Sequence, residues 1–136
     1  MRAVLDPNVI ISGLLSSTGS PAAALAAWQD GAFELVVSPL LLAELQRALA
    51  YPKLRRRISA DEADEAIGWL QASAIDITDP ADYPLRARSR DPHDDYLLAL
   101  AAVSRALLVT GDGDLLELAD ELPIHTPASF VALLHT

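Results

Sequence analysis

The sequence predicts an α/β fold in which a parallel sheet is covered by helices on both faces. Three observations carry this. Short apolar runs of the kind found in buried parallel strands recur at residues 3–5, 33–37, 74–77 and 106–109. Segments with helical apolar spacing lie between them, several opened by Ser-Pro or capping-box signals. The apolar content is 51% of the chain with 5% aromatic, mostly Ala, Leu, Val and Ile, which suits helices packed on a sheet. Strands alternating with helices build a parallel sheet through crossover connections. A length of 136 residues matches a single domain, residues 1–136, around one core.

The elements follow in order. The first strand ends on Asp6, and Pro7 and Asn8 suit a turn. Residues 10–15 continue apolar, and 16–19 form a loop. Ser20 at the N-cap and Pro21 at the first helical position open a helix to Asp30, where Gly31 stops it. After the second strand, Ser38 and Pro39 repeat that start. The helix they open carries Leu40, Leu41, Leu42, Leu45 and Leu49, with Glu44 among them. It ends near Tyr51 and Pro52, because proline disfavours continuation. Ser59 and Glu62 have capping-box spacing and begin a helix to about Gln71. A third short strand at 74–77 precedes a Pro- and Asp-rich loop. Residues 96–103 are apolar on nearly every face, so that helix should be heavily buried. The fourth strand, 106–109, runs into Thr110-Gly111-Asp112-Gly113-Asp114. A short helix over 115–122, a last strand at 123–125 and a helix after Thr126-Pro127 complete the chain.

Composition excludes several classes. With no cysteine, disulfides and thiolate metal sites are ruled out. No basic segment followed by a long apolar run opens the chain, and no apolar run reaches the ~18 residues of a membrane span, so a soluble, cytoplasmic protein without a membrane partner is expected. Net charge is −9. A protein that gripped nucleic acid by bulk phosphate neutralisation would be basic, so any nucleic-acid role must use a local site. Four of the ten Lys and Arg residues, Lys53, Arg55, Arg56 and Arg57, form the one basic cluster. The three histidines fit no zinc spacing. No nucleophile elbow, Walker loop or dinucleotide fingerprint occurs.

The acids are the informative feature. Asp6, Glu44, the pair Asp94 and Asp95, and the pair Asp112 and Asp114 each fall at a strand's carboxyl end or in the opening turns of the next helix. In an open parallel sheet that edge holds ligands. Glu44 has Leu40, Leu41 and Ala48 as helix neighbours, and a carboxylate on an apolar face needs a partner or a metal. An ion pair with Arg47 is the simpler alternative. One of Asp94 and Asp95 can cap the helix while the other serves as a ligand. The Gly-Asp-Gly-Asp turn lacks the further ligands of a calcium loop. Two carboxylates ~4 Å apart repel by ~4 kcal/mol at an effective dielectric of 20. Such a cluster must gain protons or hold a divalent ion, and all-oxygen donors suit Mg²⁺ or Mn²⁺.

Four segments together resemble the PIN-domain family: Leu5-Asp6-Pro7-Asn8-Val9, the run from Val37 to Leu45, Asp91-Pro92-His93-Asp94-Asp95-Tyr96-Leu97, and Thr110-Gly111-Asp112-Gly113-Asp114-Leu115. The likeness is greatest to the VapC-like branch, described as toxin components of toxin–antitoxin systems. It implies a three-layer α/β/α sandwich with a central parallel sheet of about five strands. It also implies a Mg²⁺- or Mn²⁺-dependent endoribonuclease acting on single-stranded RNA, a cognate antitoxin as partner, and a homodimer as a further assembly. Carried over by position, Asp6, Glu44 and Asp95 match the acidic triad and Asp112 the fourth acid, with Asp114 as the competing candidate. Asn8 and Thr110 match the supporting polar positions. Lys53, Arg55, Arg56 and Arg57 are candidates for RNA binding, against the alternative of a solvated helix end. Pro7 departs from the pattern, since many relatives carry a hydroxyl there. Two other readings compete: a catalytically silent PIN-like protein-binding module, and a structure-specific DNA nuclease.

Overall fold

The computed structural model describes residues 1–85 and 87–136. Strands β1 (Arg2–Leu5), β2 (Glu34–Val37), β3 (Ile75–Asp76), β4 (Leu107–Val109) and β5 (Ile124–His125) form one parallel sheet in the order β3-β2-β1-β4-β5. With helices layered on it, this is the α/β/α sandwich that the sequence predicts. The central strand is the most apolar: Ala3, Val4 and Leu5 are completely buried. The chain leaves β1 toward β2 and β3 on one side, then crosses back to β4 and β5 on the other. The carboxyl ends of β1 and β4 therefore flank the topological switch point, where sheets of this kind bind ligands.

The chain turns from β1 directly into helix α1 (Pro7–Leu15), where the sequence suggested a turn followed by apolar chain. Proline at the first helical position costs nothing, because that N–H would lack a partner anyway. Helix α2 (Ser20–Gln29) begins one residue earlier than expected. Its N-cap is Gly19, at φ 95°, and no side chain caps it. Helix α3 (Pro39–Leu49) starts as predicted, with the Leu41 N–H donating to Ser38 Oγ at 3.2 Å. The basic cluster is itself a short helix, α4 (Pro52–Arg55). The capping box of α5 (Ala60–Ser73) is formed on both sides: Glu62 N–H donates to Ser59 Oγ and Ser59 N–H to Glu62 Oε1. Helix α6 (Asp95–Ser104) follows a 3₁₀ turn over Pro92–Asp94 and packs on β1 and β4. Helix α7 (Gly113–Leu116) is shorter and earlier than expected, because Asp112 caps it. Helix α8 (Pro127–Leu134) packs on α2 and β5. Among the described residues no single helix is long and apolar enough to cross a membrane.

Helices α1 and α2 meet at Gly13. A Cβ there would lie 2.6 Å from Leu25 Cδ1 and 2.9 Å from the Pro21 carbonyl oxygen. Alanine is the better helix former by about 1 kcal/mol, but the backbone of α2 would have to retreat, and overpacking costs about 1–3 kcal/mol. Gly13→Ala is expected to destabilise the fold by about 1 kcal/mol, measured by urea denaturation. A stabilised variant would show that α1 and α2 separate freely.

Candidate active site

Asp6 anchors the site. It is 5% exposed, at the end of the most buried strand. Its backbone N–H continues the sheet by donating to the Val109 carbonyl at 2.9 Å, which sets it beside Thr110. Its carboxylate accepts from Asn8 N–H at 3.0 Å and from Thr110 Oγ1 at 2.8 Å. Asp6 thus caps α1, the plain role open to a residue after a strand, and also faces the other acids. Both oxygens have donors, so the absence of a hydroxyl at Pro7 orphans neither. The Asn8 contribution shown here is its backbone N–H, while its side chain is exposed. Burial raises the Asp6 pKa, the two hydrogen bonds oppose this, and the charges of Glu44 and Asp112 push it further up.

Thr110 is fully buried and joins two acids: its hydroxyl donates to Asp6 and accepts from Asp112 N–H at 3.0 Å. Asp112 in turn accepts from Asp114 N–H at 3.0 Å. Of the two acids in this turn, Asp112 is the one whose charge acts on Asp6 and Asp94. Asp114 contributes its backbone to that cap. Glu44 arrives from α3, and its carboxylate accepts the hydroxyl of Tyr96. Among the described residues it makes no ion pair with Arg47. Tyr96 was not signalled by its sequence context, where it reads as one more apolar residue of a buried helix. Burial and its bond to Glu44 hold the phenol in its neutral form.

Asp94 and Asp95, between which the sequence left the capping and ligand roles open, have different partners in the structure. The Asp95 carboxylate accepts from Ser89 N–H at 3.0 Å and pairs with Arg88 at 3.3 Å. Asp94 meets Asp112 and feels the charge of Asp6. Consecutive residues at a helix start point about 100° apart, and here Asp95 takes the Ser89 and Arg88 side while Asp94 takes the Asp112 side. Asp91 caps the 3₁₀ turn through His93 N–H at 3.0 Å, which leaves Asp94 unoccupied by capping. Its Oδ2 is buried with no hydrogen-bond partner in the structure. Burial, then the neighbouring Asp112 carboxyl and the charges of Asp91 and Asp6, push the Asp94 carboxyl up from 3.8 to about 7.

The acids are neighbours rather than a closed cage. No three Asp, Glu or His side chains converge on one point among the described residues, and the Glu44 carboxylate is taken up by the Tyr96 hydroxyl. The donor set still fits a hard divalent cation. It is all oxygen, two of its carboxylates are electrostatically unfavourable as they stand, and one oxygen is buried and orphaned.

A stability prediction follows from Asp94. Its folded-state pKa lies above the ordinary value, so the folded chain holds the proton more tightly than the unfolded chain. The resulting stability is full below about pH 4 and is lost as pH rises through about 7. Three units would correspond to ~4 kcal/mol, but Asp94 is partly open to solvent, and screening leaves about 1–2 kcal/mol. In EDTA the chain should melt at a higher temperature at pH 5.5 than at pH 8, with Asp94→Asn flattening the difference. A wild-type melting temperature that rises across that interval contradicts this reading of Asp94.

The sheet order and the acidic switch point place the chain among α/β proteins with an acidic site at the carboxyl edge. Residues 2–114 match the PIN domain family, and the chain belongs to it. PIN domains are generally nucleases. The uncharacterized protein MJ1680 of Methanocaldococcus jannaschii is 28% identical over 142 residues, covering 96% of this chain and 90% of that protein. PAE2754 from Pyrobaculum aerophilum superimposes with a TM-score of 0.65 at 18% identity, covering 99% of this chain and 90% of that one. VapBC2 from Rickettsia felis, bound to a DNA fragment from its promoter, gives 0.61 at 14% identity, covering 93% and 98%. FitAcB from Neisseria gonorrhoeae gives 0.56 at 19% identity, covering 93% and 98%.

Proposed function

We propose that this chain is a Mg²⁺- or Mn²⁺-dependent endoribonuclease acting on single-stranded RNA. The observation that carries the reading is the buried Asp6 carboxylate with Glu44, Asp94 and Asp112 around it at the switch point. These four residues would hold the ion. A bound divalent cation supplies Lewis-acid charge against the phosphate and acidifies an attacking water. The remaining work belongs to the chain. Thr110 orients Asp6 and ties it to Asp112, Tyr96 orients Glu44, and Asp94, whose carboxyl holds a proton more tightly while no ion is bound, would release it when the ion binds. Asp114 and the Asn8 backbone hold the turns in which Asp112 and Asp6 sit.

The same reading makes the chain the toxin of a toxin–antitoxin pair, folded as one PIN domain over 1–136. Its support is the PIN family match and the likeness to VapBC2 and FitAcB. An antitoxin would cover the acidic edge or exposed apolar helix surface such as Leu40 and Val103.

The test is cleavage of end-labelled single-stranded RNA, with single-stranded DNA and duplex RNA alongside, in Mg²⁺, Mn²⁺ or EDTA. Ion-dependent cleavage of the single-stranded RNA, leaving 5′-phosphate and 3′-hydroxyl ends, is expected. Equal cleavage by the wild-type chain and by Asp6→Asn, or none by either, removes the proposal.

A further inference from the structure

The acidic site opens on one side to a groove of about 530 Å³ lined by Leu40, Glu44, Arg47, Pro92, His93 and Tyr96. That size falls within the roughly 300–1,000 Å³ of small-ligand sites. Its walls are the flat ring of Pro92, the imidazole of His93, the phenol of Tyr96 and the exposed side chain of Leu40. Arg47 lies on its rim, exposed, and has no acidic partner among the described residues. Leu40, Glu44 and Arg47 recur four and three residues apart, so they share one face of α3. Continuing that interval reaches Tyr51, just past the helix, 61% exposed. Tyr51 lines a second, shallower depression with Pro52, Lys53, Leu54 and Arg56.

Charge sharpens the pattern. Arg47, Lys53, Arg55, Arg56 and Arg57 are five of the ten cationic side chains in a molecule of net charge −9. A polyanion can approach such a surface only where cations are concentrated. The structure divides the basic cluster. Arg57 donates to the Leu15 carbonyl at 3.2 Å and ties the end of α4 to α1. Arg55 is half-buried, with one guanidinium nitrogen enclosed. Lys53 and Arg56 are exposed beside Tyr51. An aromatic ring between exposed cations is the arrangement that holds single strands, with phosphates on the cations and bases on the rings.

We infer that single-stranded RNA leaves the acidic site along α3, with one nucleotide in the groove between Leu40, Arg47, His93 and Tyr96, and the strand continuing over Tyr51 to Lys53 and Arg56. This rests on the nuclease reading for the identity of the ligand, but it is tested by binding alone. The probe is a fluorescein-labelled single-stranded RNA titrated by anisotropy in EDTA, where no ion supports cleavage, over a range of salt. Arg47→Gln is expected to weaken binding about fivefold to tenfold and to reduce the slope of log K against log salt by about 0.7, the value for one lost phosphate contact. The double change Lys53→Gln, Arg56→Gln should reduce the slope by about 1.4. Tyr51→Ala should weaken binding about tenfold with the slope unchanged, and Tyr51→Phe should restore it. Arg105→Gln, at the opposite sheet edge, should behave as wild type.

Unchanged affinity and slope in Arg47→Gln and Tyr51→Ala, losses equalled by Arg105→Gln, or no RNA binding at all would overturn the path. A chain that cleaves RNA yet binds it without these residues loses the path and keeps the nuclease. A chain that binds along them and cleaves in neither Mg²⁺ nor Mn²⁺ loses the nuclease and keeps the path.

Discussion

Asp94→Asn should lower ion-dependent RNA cleavage by about 10³-fold or more, while Asp95→Asn should lower it by less than about tenfold. Asp94 lies beside Asp112, feels the charge of Asp6 and has a buried oxygen without a partner. Asparagine keeps the shape but removes the charge that a cation needs. Asp95 spends its carboxylate on Ser89 and Arg88. Its loss loosens the segment before the 3₁₀ turn and reaches the site only through Asp94. Single-turnover rates at saturating Mn²⁺, with Mn²⁺ affinity by calorimetry, separate the two. Asp94→Asn should lose affinity and rate together, and Asp95→Asn should keep its affinity. The reverse ranking would return Asp95 to the role its position in the motif implies.

The second large effect is on stability. Phe130→Ala should cost about 3–5 kcal/mol of unfolding free energy in a single cooperative transition. Phe130 is completely buried and meets Phe33 edge to face, with ring centroids 4.9 Å apart. It lies beyond residues 2–114, the part matched by the family. Helix α8 nevertheless packs on α2, and β5 pairs with β4. The same pairing reaches the site, because Thr110 N–H donates to the His125 carbonyl at 2.9 Å. Chemical denaturation followed by both circular dichroism and tryptophan fluorescence measures the cost and its cooperativity. Two separated transitions, with the α1–α6 part unaffected, would show that residues 115–136 are an appendage.

Much of the fold was legible because its signals are local. The Ser38 cap and the Ser59–Glu62 box form as spaced, and the apolar runs become strands. Local signals also misled. Ser20 resembles an N-cap, yet Gly19 takes that position, since its positive φ suits the approach to α2. Residues 7–15 are apolar apart from Asn8, Ser12 and Gly13, and so short a run does not separate a helix from a buried strand by periodicity. In the site, Asp6, Glu44 and Asp112 stood out by position relative to strands. The order of Asp94 and Asp95 did not, because it depends on the 3₁₀ turn that Asp91 caps. Tyr96 was invisible for a related reason: its hydroxyl finds Glu44 from 52 residues away in sequence.

By itself, then, the sequence determined that a parallel α/β sheet would carry acids at its carboxyl edge, because strand polarity and helix starts are written in adjacent residues. The tertiary structure alone decided which acids face one another. Side-chain direction at a helix start changes by about 100° per residue, so a single residue of phase gives Asp94 the Asp112 side and Asp95 the Ser89 and Arg88 side. The 3₁₀ turn that Asp91 caps and the packing of α6 on β1 and β4 together set that phase.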